Sequence, residues 1–60
     1  MVGLTTQGVK TQLKQFHDRQ GDEWVAWIFC WGYLVALKHS KLITEEQYKI
    51  LDKINTDLLK

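Results

Sequence analysis

Three side chains in this chain have the chemical types from which catalysts are built: Cys30, His17 and His39. A nucleophilic thiol needs a depressed pKa, supplied by a neighbouring imidazole, an ammonium group or a helix N-terminus. Cys30 instead sits within Trp24–Leu37, W-V-A-W-I-F-C-W-G-Y-L-V-A-L, a run without a charged side chain. Burial in such surroundings raises a thiol pKa, so Cys30 is expected to be an inert core residue. His17 and Asp18 are neighbours in a helical stretch, which turns their side chains about 100° apart instead of towards each other. His39 falls at the end of the apolar run, where an imidazole serves a helix C-terminus. Cys30, His17 and His39 show no paired metal-ligand spacing, so neither a metal nor another cofactor is expected. With no polar constellation of pocket size, an enzyme is not expected either.

Trp24, Trp27 and Trp31 could form a stacking platform for bases, which would require a cationic groove around them. Eight Lys and Arg against seven Asp and Glu give a net charge of +1, without a basic face. Lys49, Lys53 and Lys60 share one arc of a helix with Thr56, as on a recognition helix. Asp52 and Asp57 interrupt that arc, while Glu45 and Glu46 occupy the helix start where a phosphate would dock. Nucleic acid is therefore not an expected partner, and the tryptophans read as core or protein interface.

These residues are carried by three predicted helices, at about 5–20, 23–39 and 44–59, giving a single all-α domain. In the first, Val9, Leu13 and Phe16 make a narrow apolar stripe. Thr5 or Thr6 can cap its start, Gly8 weakens its first turn, and Gly21 suits a left-handed position after its end. Asp22 caps the second helix and Glu23 follows, while Lys38, His39 and Lys41 gather at its other end, each sign favourable for the helix dipole. The third opens with Thr44-Glu45-Glu46-Gln47, a capping box. Tyr48, Leu51, Ile54 and Leu58 continue it at helical spacing, with Ile50 and Leu59 widening the stripe.

The second helix has more apolar surface than two neighbours can cover. On a wheel, Trp24, Ile28, Trp31 and Val35 form one stripe with Trp27 and Leu34 beside it. Ala26, Phe29, Cys30, Tyr33 and Leu37 lie opposite, and Gly32 with Ala36 leaves a strip for close approach. A helix apolar all round is buried all round or spans a membrane. Trp24–Leu37 reaches about 21 Å, short of the roughly 30 Å hydrocarbon core, so a membrane is not the expected environment. A chain of this size is marginal without a staple or partner, and with one cysteine it has no internal disulfide. The expected interface residues are therefore Trp24, Trp27, Ile28, Phe29, Trp31, Gly32, Tyr33 and Val35. The expected partners are a second copy of the chain, giving a homodimer or higher oligomer, and an unidentified protein target.

The stretch from Leu34 to Tyr48, L-V-A-L-K-H-S-K-L-I-T-E-E-Q-Y, with the closing Leu58-Leu59, resembles the short C-terminal domain (SHOCT-type) family of helical hairpins. That family has a leading L-x-x-L, a central G-L-I-T-E-E-E-F/Y and a closing L-L. This chain departs from it at Lys41, where the family usually has glycine, and lacks its paired lysines before the end. The resemblance covers less than half the residues and implies an oligomerising or protein-binding element. More loosely, the size and composition look like small accessory proteins of Gram-positive bacteria and their phages. The reading is thus a small non-enzymatic interaction protein, such as a regulator or inhibitor of a larger bacterial or phage-related protein. A membrane-associated protein using the Trp24–Leu37 helix is the alternative, and a nucleic-acid accessory protein a further one. The absence of a secretory pattern and the lone cysteine fit a reducing, cytoplasmic setting.

Overall fold

The computed structural model describes residues 3–59, and Lys60, assigned above to the third helix, lies outside them. The order is α1 (Thr6–Arg19), α2 (Glu23–His39) and α3 (Glu45–Asp57), a compact all-helical domain. Among the described residues there is no strand.

Each helix starts at the side chain that the sequence offers. The Thr5 hydroxyl accepts the Gly8 N–H at 3.0 Å. A Cβ built on Gly8 would approach that same hydroxyl oxygen at 3.0 Å, so the glycine that weakens the first turn also leaves room for its cap. Asp22 accepts the N–H groups of Trp24 and Val25 at 2.9 and 3.3 Å. At α3 the capping box is complete: the Gln47 N–H donates to the Thr44 hydroxyl at 3.1 Å, and the Thr44 N–H donates to Gln47 Oε1 at 2.8 Å. A terminal backbone donor satisfied in this way contributes about 1 kcal/mol.

The helix ends differ from expectation at one point. No described glycine has positive φ, so Gly21 does not take the left-handed conformation. The chain leaves α1 at Gln20 in extended geometry, its N–H still bonded to Phe16 O, and stays extended at Asp22. Two successive extended caps redirect the chain between the helices, which leaves nothing for a left-handed glycine to do. The left-handed residue is Lys41, at φ 62°, the position where the SHOCT-type pattern has glycine. It closes a Schellman motif: the Leu42 N–H donates to Leu37 O and the Lys41 N–H to Lys38 O, both at 3.0 Å. Two trailing carbonyls of α2 are satisfied at the cost of a side chain in a conformation that glycine adopts freely.

The core is a single cluster of Val9, Leu13, Cys30, Leu34, Leu37, Ile43 and Leu51, with Leu4, Phe16, Tyr48, Ile54 and Leu58 packed partly against it. Leu13, Leu34 and Leu51 are fully buried, one from each helix. Each contributes about 1.5–3 kcal/mol by leaving water. Ile50, expected to widen the buried stripe of α3, is instead exposed, because Leu51 and Asn55 set the inward direction of that helix.

Two polar side chains tie the helices together. The Gln47 amide, besides closing its capping box, donates to Leu4 O at 3.0 Å and to the Thr6 hydroxyl at 3.3 Å. With the Leu4 N–H donating to Leu42 O at 2.9 Å, the segment before α1 is fastened to the start of α3. Asn55, fully buried, accepts from His17 Nε2 at 2.8 Å and donates to Trp27 O at 3.1 Å, so one side chain of α3 holds both α1 and α2.

Candidate interaction face

The buried side of α2 is Ala26, Cys30, Leu34 and Leu37. Those residues fall within one arc of a helical wheel. Leu34, placed beside the tryptophan stripe from the sequence, belongs to this buried arc. Phe29 and Tyr33, grouped there with Cys30, come out at its edge and are exposed. The wheel positions are continuous, and only the packing of α1 and α3 decides where the buried sector begins and ends.

Opposite Cys30 lie Trp24, Val25, Ile28, Phe29, Trp31, Gly32, Val35 and Ala36. At about 100° per residue they span roughly 160° without a charged or aliphatic polar side chain. Trp24 is 62% exposed, Ile28 57%, Phe29 55% and Trp31 45%; Val25, Gly32 and Ala36 are also exposed, and Val35 is half-buried. Trp27, expected at the interface, is instead half-buried beside α3, with its indole N–H donating to the Thr56 hydroxyl at 3.4 Å. The structure thus brings seven of the eight predicted interface residues to the outer side or edge of α2 and assigns the eighth to the α2–α3 contact.

One half of this face is a groove. Gln12, Gln15, Phe16 and Arg19 of α1 form one wall, and Val25, Ile28, Phe29, Gly32 and Tyr33 of α2 form the other, around an open volume of about 780 Å³. The Phe16 and Phe29 rings meet across it at 5.5 Å between centroids. Along the other half, Trp24 packs edge-on against Trp27 at 6.5 Å. The ends of α2 are polar: exposed Asp22 stands at one, and at the other are exposed His39 and Lys41, with the Lys38 ammonium 4.4 Å from the centre of the Tyr48 ring.

The residues considered for chemistry lie apart from this face. Cys30 is fully buried, and burial pushes its thiol pKa up, which opposes nucleophilic use. His17 is bonded to Asn55. Lys53 reaches Asp57 on the same helix at 3.8 Å, both groups largely in solvent. Among the described residues no group of three or more His, Cys, Asp or Glu could hold a metal ion. No helix among them is long and apolar enough to cross a membrane.

Asn55 and the second role of Gln47 escaped the sequence reading. Asn55 lies on the inward stripe of α3 with Tyr48, Leu51 and Leu58, and a polar residue at such a position is the available signal for a buried tie. No protein-family model, curated protein or solved structure matches this chain.

Proposed function

We propose that this chain is a non-enzymatic protein-interaction module that works as a homo-oligomer through the outer face of α2. The observation that carries this reading is the unbroken apolar face from Trp24 to Ala36. An aromatic side chain carries about 150–250 Å² of buriable surface, so the exposed parts of Trp24, Phe29, Trp31 and Tyr33 alone amount to roughly 400 Å². Val25, Ile28, Val35 and Ala36 extend that area. A monomeric protein rarely presents a contiguous patch larger than about 300–600 Å², and a chain of this size has few polar residues with which to offset one. Aromatic side chains are also the usual anchors of protein interfaces.

Sedimentation velocity over a wide concentration range tests the reading, together with flotation on neutral and anionic lipid vesicles. Concentration-dependent self-association without flotation is expected. A chain that stays monomeric at high micromolar concentration, or that floats with vesicles while remaining monomeric in solution, defeats it. In the second case the face would serve a lipid surface.

A further inference from the structure

The groove between α1 and α2 has the build of a small-ligand site, and we infer that it binds a free single-chain amphiphile with a carboxylate head, of the fatty-acid type. The inference goes beyond self-association and does not depend on it, since one wall of the groove belongs to α1.

Size and lining give the chemical class. The volume of about 780 Å³ falls within the roughly 300–1,000 Å³ of small-molecule sites, which are mostly apolar and aromatic with a few polar groups to fix orientation. Here the apolar part is Phe16 from α1 and Val25, Ile28 and Phe29 from α2. Gly32 widens it, because nothing lies within 4 Å of a Cβ built there. Past Gln12 and Tyr33, which line both spaces, the groove runs on into a second recess of about 250 Å³ beside Leu4, Gly8 and Val9. From Arg19 to Gly8 it follows α1 for roughly 16 Å, at about 1.5 Å per residue. An elongated apolar space of this kind fits a hydrocarbon chain. An extended peptide would find no backbone partners, because both walls are helices whose N–H and C=O groups pair internally.

Charge sets the head group and its direction. Arg19 is the only charged residue lining the groove, and it stands about one turn beyond the Phe16–Phe29 ring contact. It is exposed, and among the described residues it has no ion-pair partner. Asp18 points about 100° away from it around α1. Asp22 is engaged with the N–H groups of Trp24 and Val25. A guanidinium takes a carboxylate through two parallel hydrogen bonds. The chain then runs from Arg19 past the Phe16 and Phe29 rings towards Gly32 and Tyr33, with the Gln12 and Gln15 amides along its α1 side.

NMR titration of the isotope-labelled whole chain with sodium decanoate tests this, at neutral pH, where the carboxylate is ionised, and below the micelle-forming concentration. Decanol and decyltrimethylammonium, with the same chain and a neutral or cationic head, are titrated alongside. Saturable binding of one decanoate per chain is expected, with a dissociation constant on the order of 0.1–1 mM for about 12 non-hydrogen atoms. Amide shifts should centre on Phe16, Arg19, Phe29 and Tyr33, while the indole N–H signals of Trp24 and Trp31 stay in place. Decanoate should bind roughly fivefold more tightly than decanol, and decyltrimethylammonium more weakly than either. Arg19→Gln, a change at an exposed site, should remove the advantage of decanoate and leave decanol binding unchanged. The site is overturned by an absence of saturable binding, by equal binding of all three heads, or by shifts centred on Trp24 and Trp31. Sedimentation velocity separates this outcome from the self-association reading. A monomer that binds decanoate fails only that reading, and an oligomer that does not bind it fails only the site.

Discussion

His17 of α1 and Asn55 of α3 are joined by a 2.8 Å hydrogen bond whose asparagine is completely shielded from solvent. Because Asn55 Oδ1 can only accept, the imidazole donates from Nε2. The asparagine amide then donates to a backbone carbonyl of α2, so both ends of the side chain are satisfied and all three helices meet at one residue. Among the described residues no buried side-chain polar atom lacks a partner.

Asn55→Ala should therefore cost more than the hydrogen bonds themselves. It leaves the His17 donor without its partner and opens a small cavity, and the expected loss is about 2–3 kcal/mol. Asn55→Asp keeps an acceptor for His17 but sets a carboxylate against Trp27 O, so it should be at least as destabilising at neutral pH. Urea titrations followed by circular dichroism check both. A loss below about 0.5 kcal/mol would show that the node is dispensable.

Lys41→Gly should stabilise the chain by about 1 kcal/mol, since the left-handed backbone at this position strains any residue with a Cβ. Lys41→Val should destabilise it by a similar or larger amount, the β-branch being the worst fit at positive φ. Thermal melts of the three proteins give the order directly, and a valine variant as stable as the glycine variant would contradict it.

The double role of Gln47 separates two substitutions that normally resemble each other. Gln47→Glu can still accept the Thr44 N–H and complete the capping box. It can no longer donate to Leu4 O or the Thr6 hydroxyl. Amide hydrogen exchange should therefore show the start of α3 protected while protection falls at Leu4 and the first turn of α1. Gln47→Ala should lose protection at both places, with a total cost of about 1–2 kcal/mol.

The buried thiol supplies a pH dependence. Burial raises the Cys30 pKa above its ordinary value, so the folded chain holds this proton more tightly than the unfolded chain does. Stability from this source is complete below the ordinary thiol pKa and is lost as pH rises from there towards the folded value. Denaturation between neutral and strongly alkaline pH should show that decline, and Cys30→Ala should flatten it. A thiol reagent should label the native chain only as fast as the chain opens, with the rate rising steeply in urea.

The three helices, their boundaries and the caps at Thr5, Asp22 and Thr44 are legible in the chain itself, because a cap and an amphipathic repeat are local relations among residues three or four apart. The uncharged character of Trp24–Leu37 and its excess over the available cover are legible for the same reason. The division of that run into a buried side, Ala26, Cys30, Leu34 and Leu37, and an open side bearing Trp24, Ile28 and Trp31 is not. Every position around such a helix is apolar, so hydropathy offers no direction, and only the docking of α1 and α3 selects one. The same holds for Asn55, whose partners lie 38 and 28 residues away. Lys41 was visible as a departure from glycine, but its left-handed backbone follows from how α2 must end for Ile43 to enter the core and α3 to turn back.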